Sequence, residues 1–141
     1  SLDGEVDTQP LIEQLWRAGK RVYLPVLHPF SAGNLLFLNY HPQSELVMNR
    51  LKVHEPKLDV RDVLPLSRLD VLITPLVAFD EYGQRLGMGG GFYDRTLQNW
   101  QHYKMQPVGY AHDCQLVEKL PVEEWDIPLP AVVTPSKVWE W

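Results

Sequence analysis

Residues 71–95 read VLITPLVAFDEYGQRLGMGGGFYDR. The stretch 71–79 is apolar and rich in β-branched residues, and a buried strand is predicted over 70–77. Four glycines then fall within five residues, and a helix-like segment begins at Phe92. The order strand, glycine-rich loop, helix brings backbone N–H groups and the positive end of a helix dipole to one place, which suits a phosphate group.

Charged residues flank this loop. Arg85 at its entrance is a candidate phosphate clamp, and Asp94 in the first helical turn is a candidate magnesium ligand. A plain chain-reversing turn is the alternative interpretation, which these neighbours make less favourable. The loop is not a P-loop, because Gly91 is followed by Phe92 and Tyr93 rather than by Lys and Ser or Thr. A dinucleotide fingerprint would need a glycine at the position of Phe92.

Helical and strand patterns alternate along the rest of the chain, which predicts a three-layer α/β/α domain with a mostly parallel sheet. The pattern of residues 46–53 fits either a short strand or a turn-rich crossing. An ordered surface loop is predicted over 55–69, and a turn or short helix over 115–120. Helices are predicted from Thr8 to Gly19 and over 92–103. Strands are predicted over 21–27, 35–40, 70–77, 108–112 and 131–134.

Bulk composition limits the function classes. A length of 141 residues predicts one domain, 1–141. The formal charge of −5 argues against a nucleic-acid binder, and no apolar run is long enough to span a membrane. The single cysteine, Cys114, cannot form an internal disulfide, which fits a reducing cytoplasm. The five histidines show no zinc-ligand spacing, and no serine lies in a nucleophile elbow.

At residues 85–94 the sequence Arg-Leu-Gly-Met-Gly-Gly-Gly-Phe-Tyr-Asp closely resembles the signature of the 5-formyltetrahydrofolate cyclo-ligase family, also called methenyltetrahydrofolate synthetase. The stretches 3–8 (DGEVDT) and 120–126 (LPVEEWD) support the resemblance, which covers essentially the whole chain. The sequence is most similar in kind to bacterial members of the family. The family carries several tens of residues before this point, including a basic helix that contacts ATP. We therefore expect the chain to be N-terminally truncated.

The resemblance implies a Rossmann-like sandwich with its site along one sheet edge. It implies an enzyme that uses ATP and Mg²⁺ to cyclise 5-formyltetrahydrofolate to 5,10-methenyltetrahydrofolate, releasing ADP and phosphate through a phosphorylated formyl intermediate. We expect a monomer. Two hypotheses stay open beside it: a non-catalytic nucleotide- or folate-binding module, and a sugar-phosphate isomerase-like enzyme that does not consume ATP.

Site residues follow from the same resemblance. Catalysis is assigned to Arg85 and Tyr93, and the metal to Asp94 and Asp126, although composition alone favours a surface role for Asp126. Without the resemblance, Glu5 would be one more acid before a helix N-terminus. ATP binding is assigned to Arg85, Leu86, Gly87, Met88, Gly89, Gly90, Gly91, Phe92 and Tyr93, and substrate binding to Glu5, Met88, Gly89, Gly90, Gly91 and Phe92.

Two loop positions depart from some relatives, which carry Arg at the position of Met88 and Lys at that of Gly90. The loop of this chain therefore has fewer cations and is expected to rely more on backbone N–H donors. The C-terminal Trp139-Glu140-Trp141 has no chemical interpretation from sequence.

Overall fold

The computed structural model describes residues 7–27, 34–44, 46–48, 54–57, 59–87, 92–122 and 126–141. The chain forms two compact units, Thr8–Arg68 and Leu69–Trp141, the second of which also includes Asp7. Both units combine helix with sheet, so the α/β class is confirmed. The assignment of 1–141 to one domain stays a prediction. Over the described ranges, no helix has the length and apolar character needed to cross a bilayer.

Helix α1 (Gln9–Arg17) begins the first unit where the sequence predicts it. Thr8 is its N-cap residue, although the hydroxyl makes no capping hydrogen bond, and a proline stands in the first turn. Ile12 is buried, and the chain leaves the helix through Gly19 at a φ of +75°. The apolar spacing and the terminal glycine therefore determine this helix as expected.

Antiparallel pairing dominates the first unit. Strands β1 (Val22–Leu27) and β2 (Leu35–Tyr40) pair antiparallel, and β5 (Val63–Leu64) pairs with the other edge of β2. The prediction of a mostly parallel sheet is wrong for this unit. The connection between β1 and β2 is too short for the crossover of a dozen or more residues that parallel strands require.

Short elements replace part of the loop predicted over 55–69. Strand β3 (Leu46–Met48) pairs antiparallel with β4 (His54–Pro56), so the strand interpretation holds at the start of 46–53; 49–53 lie outside the described residues. The loop also contains β5 and two 3₁₀ turns, Val60–Asp62 and Leu66–Arg68. Elements of two or three residues are too short to leave a periodic pattern in the sequence.

A four-stranded sheet lies in the second unit. Strands β6 (Val71–Thr74), β9 (Gln106–Tyr110) and β10 (Ala131–Val133) are parallel, and β11 (Val138–Glu140) is antiparallel to β10. Their order in the sheet is β11-β10-β9-β6. This sheet is mostly parallel, as predicted, but β6 is not covered on both faces, because Val71 is 51% exposed. The strand predicted over 108–112 begins and ends two residues earlier, and β11 was not predicted.

The segment between β6 and the next helix is not a simple loop. Strands β7 (Ala78–Phe79) and β8 (Arg85–Leu86) form a tight antiparallel hairpin before the glycine-rich stretch. Helix α2 (Phe92–Leu97) then begins at the predicted residue but ends six residues early. Asn99 takes a φ of +60°, and a 3₁₀ turn, Trp100–His102, follows. A 3₁₀ turn, Asp113–Gln115, likewise occurs near the turn or helix predicted at 115–120.

Aromatic residues of the C-terminus cover the β7–β8 hairpin. The Trp139 ring packs edge-on against Phe79 at 5.9 Å between centroids and lies 6.3 Å from the Trp141 ring. The Trp141 indole N–H donates to the Glu81 carbonyl in the hairpin turn. The aromatic tail therefore has a structural role, since it buries the fully enclosed Phe79 and holds the turn.

Gly83 in that turn offers a test of this packing. Its φ is +83°, and a Cβ atom there would lie 2.6 Å from the Leu129 carbonyl oxygen and 3.1 Å from the Trp141 ring. Gly19 has a similar φ of +75° but nothing within 4 Å of a Cβ position. Left-handed backbone costs an alanine about 1–2 kcal/mol, so Gly19→Ala should lose about that much stability.

Gly83→Ala should lose about 1–3 kcal/mol more than Gly19→Ala, because of the added clash with backbone. Chemical denaturation of the two variants measures the difference. Equal losses would show that neither the Leu129 carbonyl nor the Trp141 ring is tightly packed against the turn.

Candidate functional site

Arg85 of β8 is the centre of the site that the structure assembles. Its side chain is only 5% exposed. The guanidinium donates from Nε and Nη2 to the Pro75 carbonyl, at 3.2 and 2.9 Å. Nη1 of Arg85 lies 3.5 Å from Oδ1 of Asp94, and Cζ of Arg85 lies 5.8 Å from the centroid of the Tyr93 ring. Arg85 therefore joins the end of β6 to the first turn of α2, and three predicted site residues meet.

The entrance of the glycine-rich stretch is built on this arginine. The Leu86 carbonyl accepts a hydrogen bond from the Val77 N–H at 2.7 Å. This bond holds β8 against the residues that follow β6. A Cβ atom at Gly87 would lie 2.7 Å from Nη2 of Arg85. That guanidinium is anchored and cannot easily move away. Position 87 therefore needs a glycine, because the Arg85 side chain passes close to its backbone. The sequence alone did not reveal this reason for the glycine.

Several predicted site residues lie outside the described ranges: Glu5, Met88, Gly89, Gly90 and Gly91. Phe92 is half-buried at the start of α2, and its ring lies 5.5 Å from the guanidinium of Arg95. The two described ends of the loop are therefore both ordered by arginine contacts, Arg85 at β8 and Arg95 at α2.

The two predicted metal ligands both belong to the second unit. The Asp94 side chain is 21% exposed beside Arg85, and Asp126 is half-buried. Within the ranges that the structure covers, no three His, Cys, Asp or Glu side chains are grouped to hold a metal ion. A partly exposed carboxylate still fits Mg²⁺, because that ion commonly takes one or two carboxylates and completes its shell with water and substrate phosphates.

A buried glutamine binds the backbone of the segment between β6 and the hairpin, and sequence reasoning missed it. Gln115 donates from Nε2 to the Leu76 carbonyl at 2.8 Å and to the Val77 carbonyl at 3.1 Å. Its Oε1 accepts from the His112 N–H at 2.6 Å. The Val117 N–H donates to the Phe79 carbonyl at 2.8 Å. Residues 112–117 thereby satisfy the carbonyls of the segment that leads to the hairpin.

A buried aspartate closes the hairpin turn. Asp80 has no exposed surface, and its Oδ1 accepts from the N–H groups of Tyr82 at 2.9 Å and Gln84 at 3.1 Å. Its Oδ2 accepts from the Leu120 N–H at 3.0 Å. The sequence contained a signal for the local part, since Asp followed three residues later by Gly is typical of a turn in which the carboxylate accepts from nearby N–H groups.

Among the residues that the structure describes, the pKa displaced to about 2 belongs to Asp59, which lies in the first unit. The Arg61 side chain donates to both carboxylate oxygens of Asp59, and these bonds lower the pKa of Asp59 to about 2. The pair is at the surface, so the shift reflects a local ion pair rather than a reactive site.

Arg85 and Arg61 make a matched test of the guanidinium contacts. A lysine at position 85 cannot reach the Pro75 carbonyl and Asp94 together, because it lacks the planar fork. Arg85→Lys should lower the free energy of unfolding by about 1.5–3 kcal/mol, the range for hydrogen bonds to charged groups. Arg61→Lys, at a side chain 86% exposed, should cause no measurable change. Denaturation curves that fail to separate the two variants would contradict the anchoring role of Arg85.

Comparison with known proteins places this geometry in a family. The pattern of the 5-formyltetrahydrofolate cyclo-ligase family matches residues 1–135. The chain is 97% identical over 141 residues to the 5-formyltetrahydrofolate cyclo-ligase of Escherichia coli K12, with 100% of this chain and 78% of the relative covered. It is 60% identical over 129 residues to that of Haemophilus influenzae, with 92% and 69% covered.

A solved structure agrees with the sequence relatives. The NMR structure of Aquifex aeolicus 5,10-methenyltetrahydrofolate synthetase matches with a TM-score of 0.77 and 30% identity, covering 99% of this chain and 68% of that one. Family pattern, close relatives and fold agree along nearly the whole sequence, including the segment that carries Arg85, Tyr93 and Asp94. The chain belongs to the 5-formyltetrahydrofolate cyclo-ligase family.

Proposed function

We propose that this protein cyclises 5-formyltetrahydrofolate to 5,10-methenyltetrahydrofolate at the expense of ATP, which leaves as ADP and phosphate. The observation that carries the proposal is the family signature at 85–94, in which Arg85 before the glycine-rich stretch meets Tyr93 and Asp94 after it. Family membership and 97% identity to a cyclo-ligase support the same reaction.

The chemical problem is that a formyl oxygen bound to carbon is a poor leaving group. In the proposed sequence the formyl oxygen attacks the γ-phosphorus, and the bond to the β–γ bridging oxygen breaks to release ADP. The product is an imidate phosphate. N10 then attacks its carbon, the carbon–oxygen bond breaks to release phosphate, and the N10 proton is lost. The protein must hold the reacting atoms in line and balance the negative charge.

We assign those tasks to residues of this chain as follows. Backbone N–H groups of Met88, Gly89, Gly90 and Gly91 bind phosphate oxygens. Arg85 adds positive charge and orients Asp94 and Tyr93 from its anchored position. Tyr93 orients a phosphate or the pterin, and the Glu5 carboxylate accepts hydrogen bonds from the aminopyrimidine edge of the pterin.

The proposal includes a magnesium ion that two carboxylates would bind. Asp94 would hold the ion, with Asp126 as a second carboxylate, and the ion would offset the negative charge of the phosphates. Oδ1 of Asp94 also lies 3.5 Å from Nη1 of Arg85, so the arginine would restrict the motion of the carboxylate that holds the ion.

Finer features of the molecule are also proposals. The parallel strands of the second unit support a three-layer Rossmann-like sandwich, and the single cysteine supports a cytoplasmic location. The monomeric state stays an expectation. The non-catalytic binding module and the sugar-phosphate isomerase receive no specific support from the described geometry.

An absorbance assay tests the proposed reaction. The full-length protein, given 5-formyltetrahydrofolate, ATP and Mg²⁺, should form the methenyl product, whose absorbance rises only when all three are present. Binding of ATP without product would favour a binding module. Turnover of a sugar phosphate without ATP would favour an isomerase.

The magnesium ligands are tested by titrating the ion against turnover in the full-length protein. Asp94→Asn should raise the magnesium requirement and lower turnover by at least roughly 10–100-fold, the loss that removing even a hydrogen-bond partner of a metal ligand causes. Asp126→Asn should act in the same direction but more mildly. Asp70→Asn is the control, because that carboxylate is 83% exposed and pairs with Lys104 at the surface.

An unchanged magnesium dependence in Asp94→Asn, together with lowered thermal stability, would instead assign Asp94 only to holding Arg85 and to the helix dipole, worth about 0.3–1 kcal/mol.

A further inference from the structure

Asp80 joins two stretches of the second unit that are distant in sequence. Its Oδ1 accepts from Tyr82 and Gln84 within the hairpin turn, and its Oδ2 accepts from Leu120, forty residues away. The side chain has no exposed surface. A buried carboxylate is costly unless its oxygens are satisfied, so these backbone donors hold it in one orientation.

Each stretch leads to residues of the proposed site. The hairpin turn continues into β8, which carries Arg85 and leads directly into the glycine-rich stretch. Leu120 stands at the start of the stretch that leads to Asp126. The Val117 N–H also donates to the Phe79 carbonyl, so the two stretches run side by side up to Asp80.

We propose that Asp80 is a positioning residue for the cyclisation: it fixes β8 and Arg85 relative to the chain at Leu120, and so sets the loop entrance relative to the stretch that bears Asp126. The inference rests on the proposed function for its kinetic effect. Asp80 itself is enclosed and does not touch substrate.

A carboxylate is required because the three donors approach both oxygens. An asparagine has one acceptor oxygen, and its NH₂ group would face at least one of the backbone N–H donors. Asp80→Asn therefore keeps the size of the side chain but breaks either the turn contacts or the Leu120 contact. Asp80→Ala removes both.

The alternative is that Asp80 only stabilises the hairpin turn and has no effect on the reaction. A folded variant would then keep normal kinetic constants below its melting temperature. Val132→Ala supplies the matched control, because Val132 is fully buried in β10 and has no place in the site. It lowers stability by opening a cavity but removes none of the hydrogen bonds that Asp80 accepts.

The experiment measures kcat and KM for ATP in the full-length protein and in Asp80→Asn, Asp80→Ala and Val132→Ala, below all melting temperatures. The Asp80 variants should lose roughly 10–100-fold in kcat/KM, since small displacements of positioned groups cost about that much. Val132→Ala should stay within about twofold of the parent enzyme. If Asp80→Ala does not fold, Asp80→Asn decides the question.

A second readout does not need turnover. The Val77 N–H donates to the Leu86 carbonyl, so its hydrogen exchange reports whether β8 is seated. This amide should exchange about tenfold faster or more in Asp80→Asn and should be unchanged in Val132→Ala. Normal kinetics in the Asp80 variants, or unchanged Val77 exchange, overturns the inference. A parent enzyme that makes no product overturns the proposed function instead, and Val77 exchange then decides on Asp80 alone.

Discussion

The second unit depends on how the chain satisfies its carbonyl groups after it leaves the sheet at Thr74. Carbonyls inside a protein need hydrogen-bond partners, and in the part of the chain that the structure describes, side chains rather than a neighbouring strand supply them here. Arg85 satisfies Pro75, and Gln115 satisfies Leu76 and Val77. Leu76 and Phe79 are buried in this segment, so the core and the hydrogen bonds constrain it together.

This constraint explains why an arginine stands at the entrance of the glycine-rich stretch. The guanidinium that satisfies Pro75 also lies beside Asp94 and Tyr93, so one side chain links strand, hairpin and helix. Its charge stays near the loop while its donors serve the backbone. The buried Asp80 has the complementary task, because it accepts from three N–H groups where the hairpin turns. Structural support and proposed chemistry therefore share the same few residues.

Sequence reasoning identified the elements with strong patterns. Helix α1 follows from its apolar spacing, β2 was predicted with its observed ends, and the signature at 85–94 led to the correct family. The hairpin and β11 were missed because strands of two or three residues carry no periodicity and depend on tertiary partners. The support from Gln115 could not be predicted, since nothing in a single sequence marks a glutamine as buried. The roles of Glu5 and residues 88–91 stay predictions, because these positions lie outside the described ranges.

Native-state hydrogen exchange at increasing denaturant tests the central claim most directly, because it measures the opening free energy of each amide. If the Asp80 carboxylate holds the turn and the chain at Leu120 as one cooperative unit, the amides of Tyr82, Gln84 and Leu120 should open with the same free energy and the same denaturant dependence. A Leu120 amide that exchanges through a separate opening of lower free energy, while Tyr82 and Gln84 stay protected, would contradict the account.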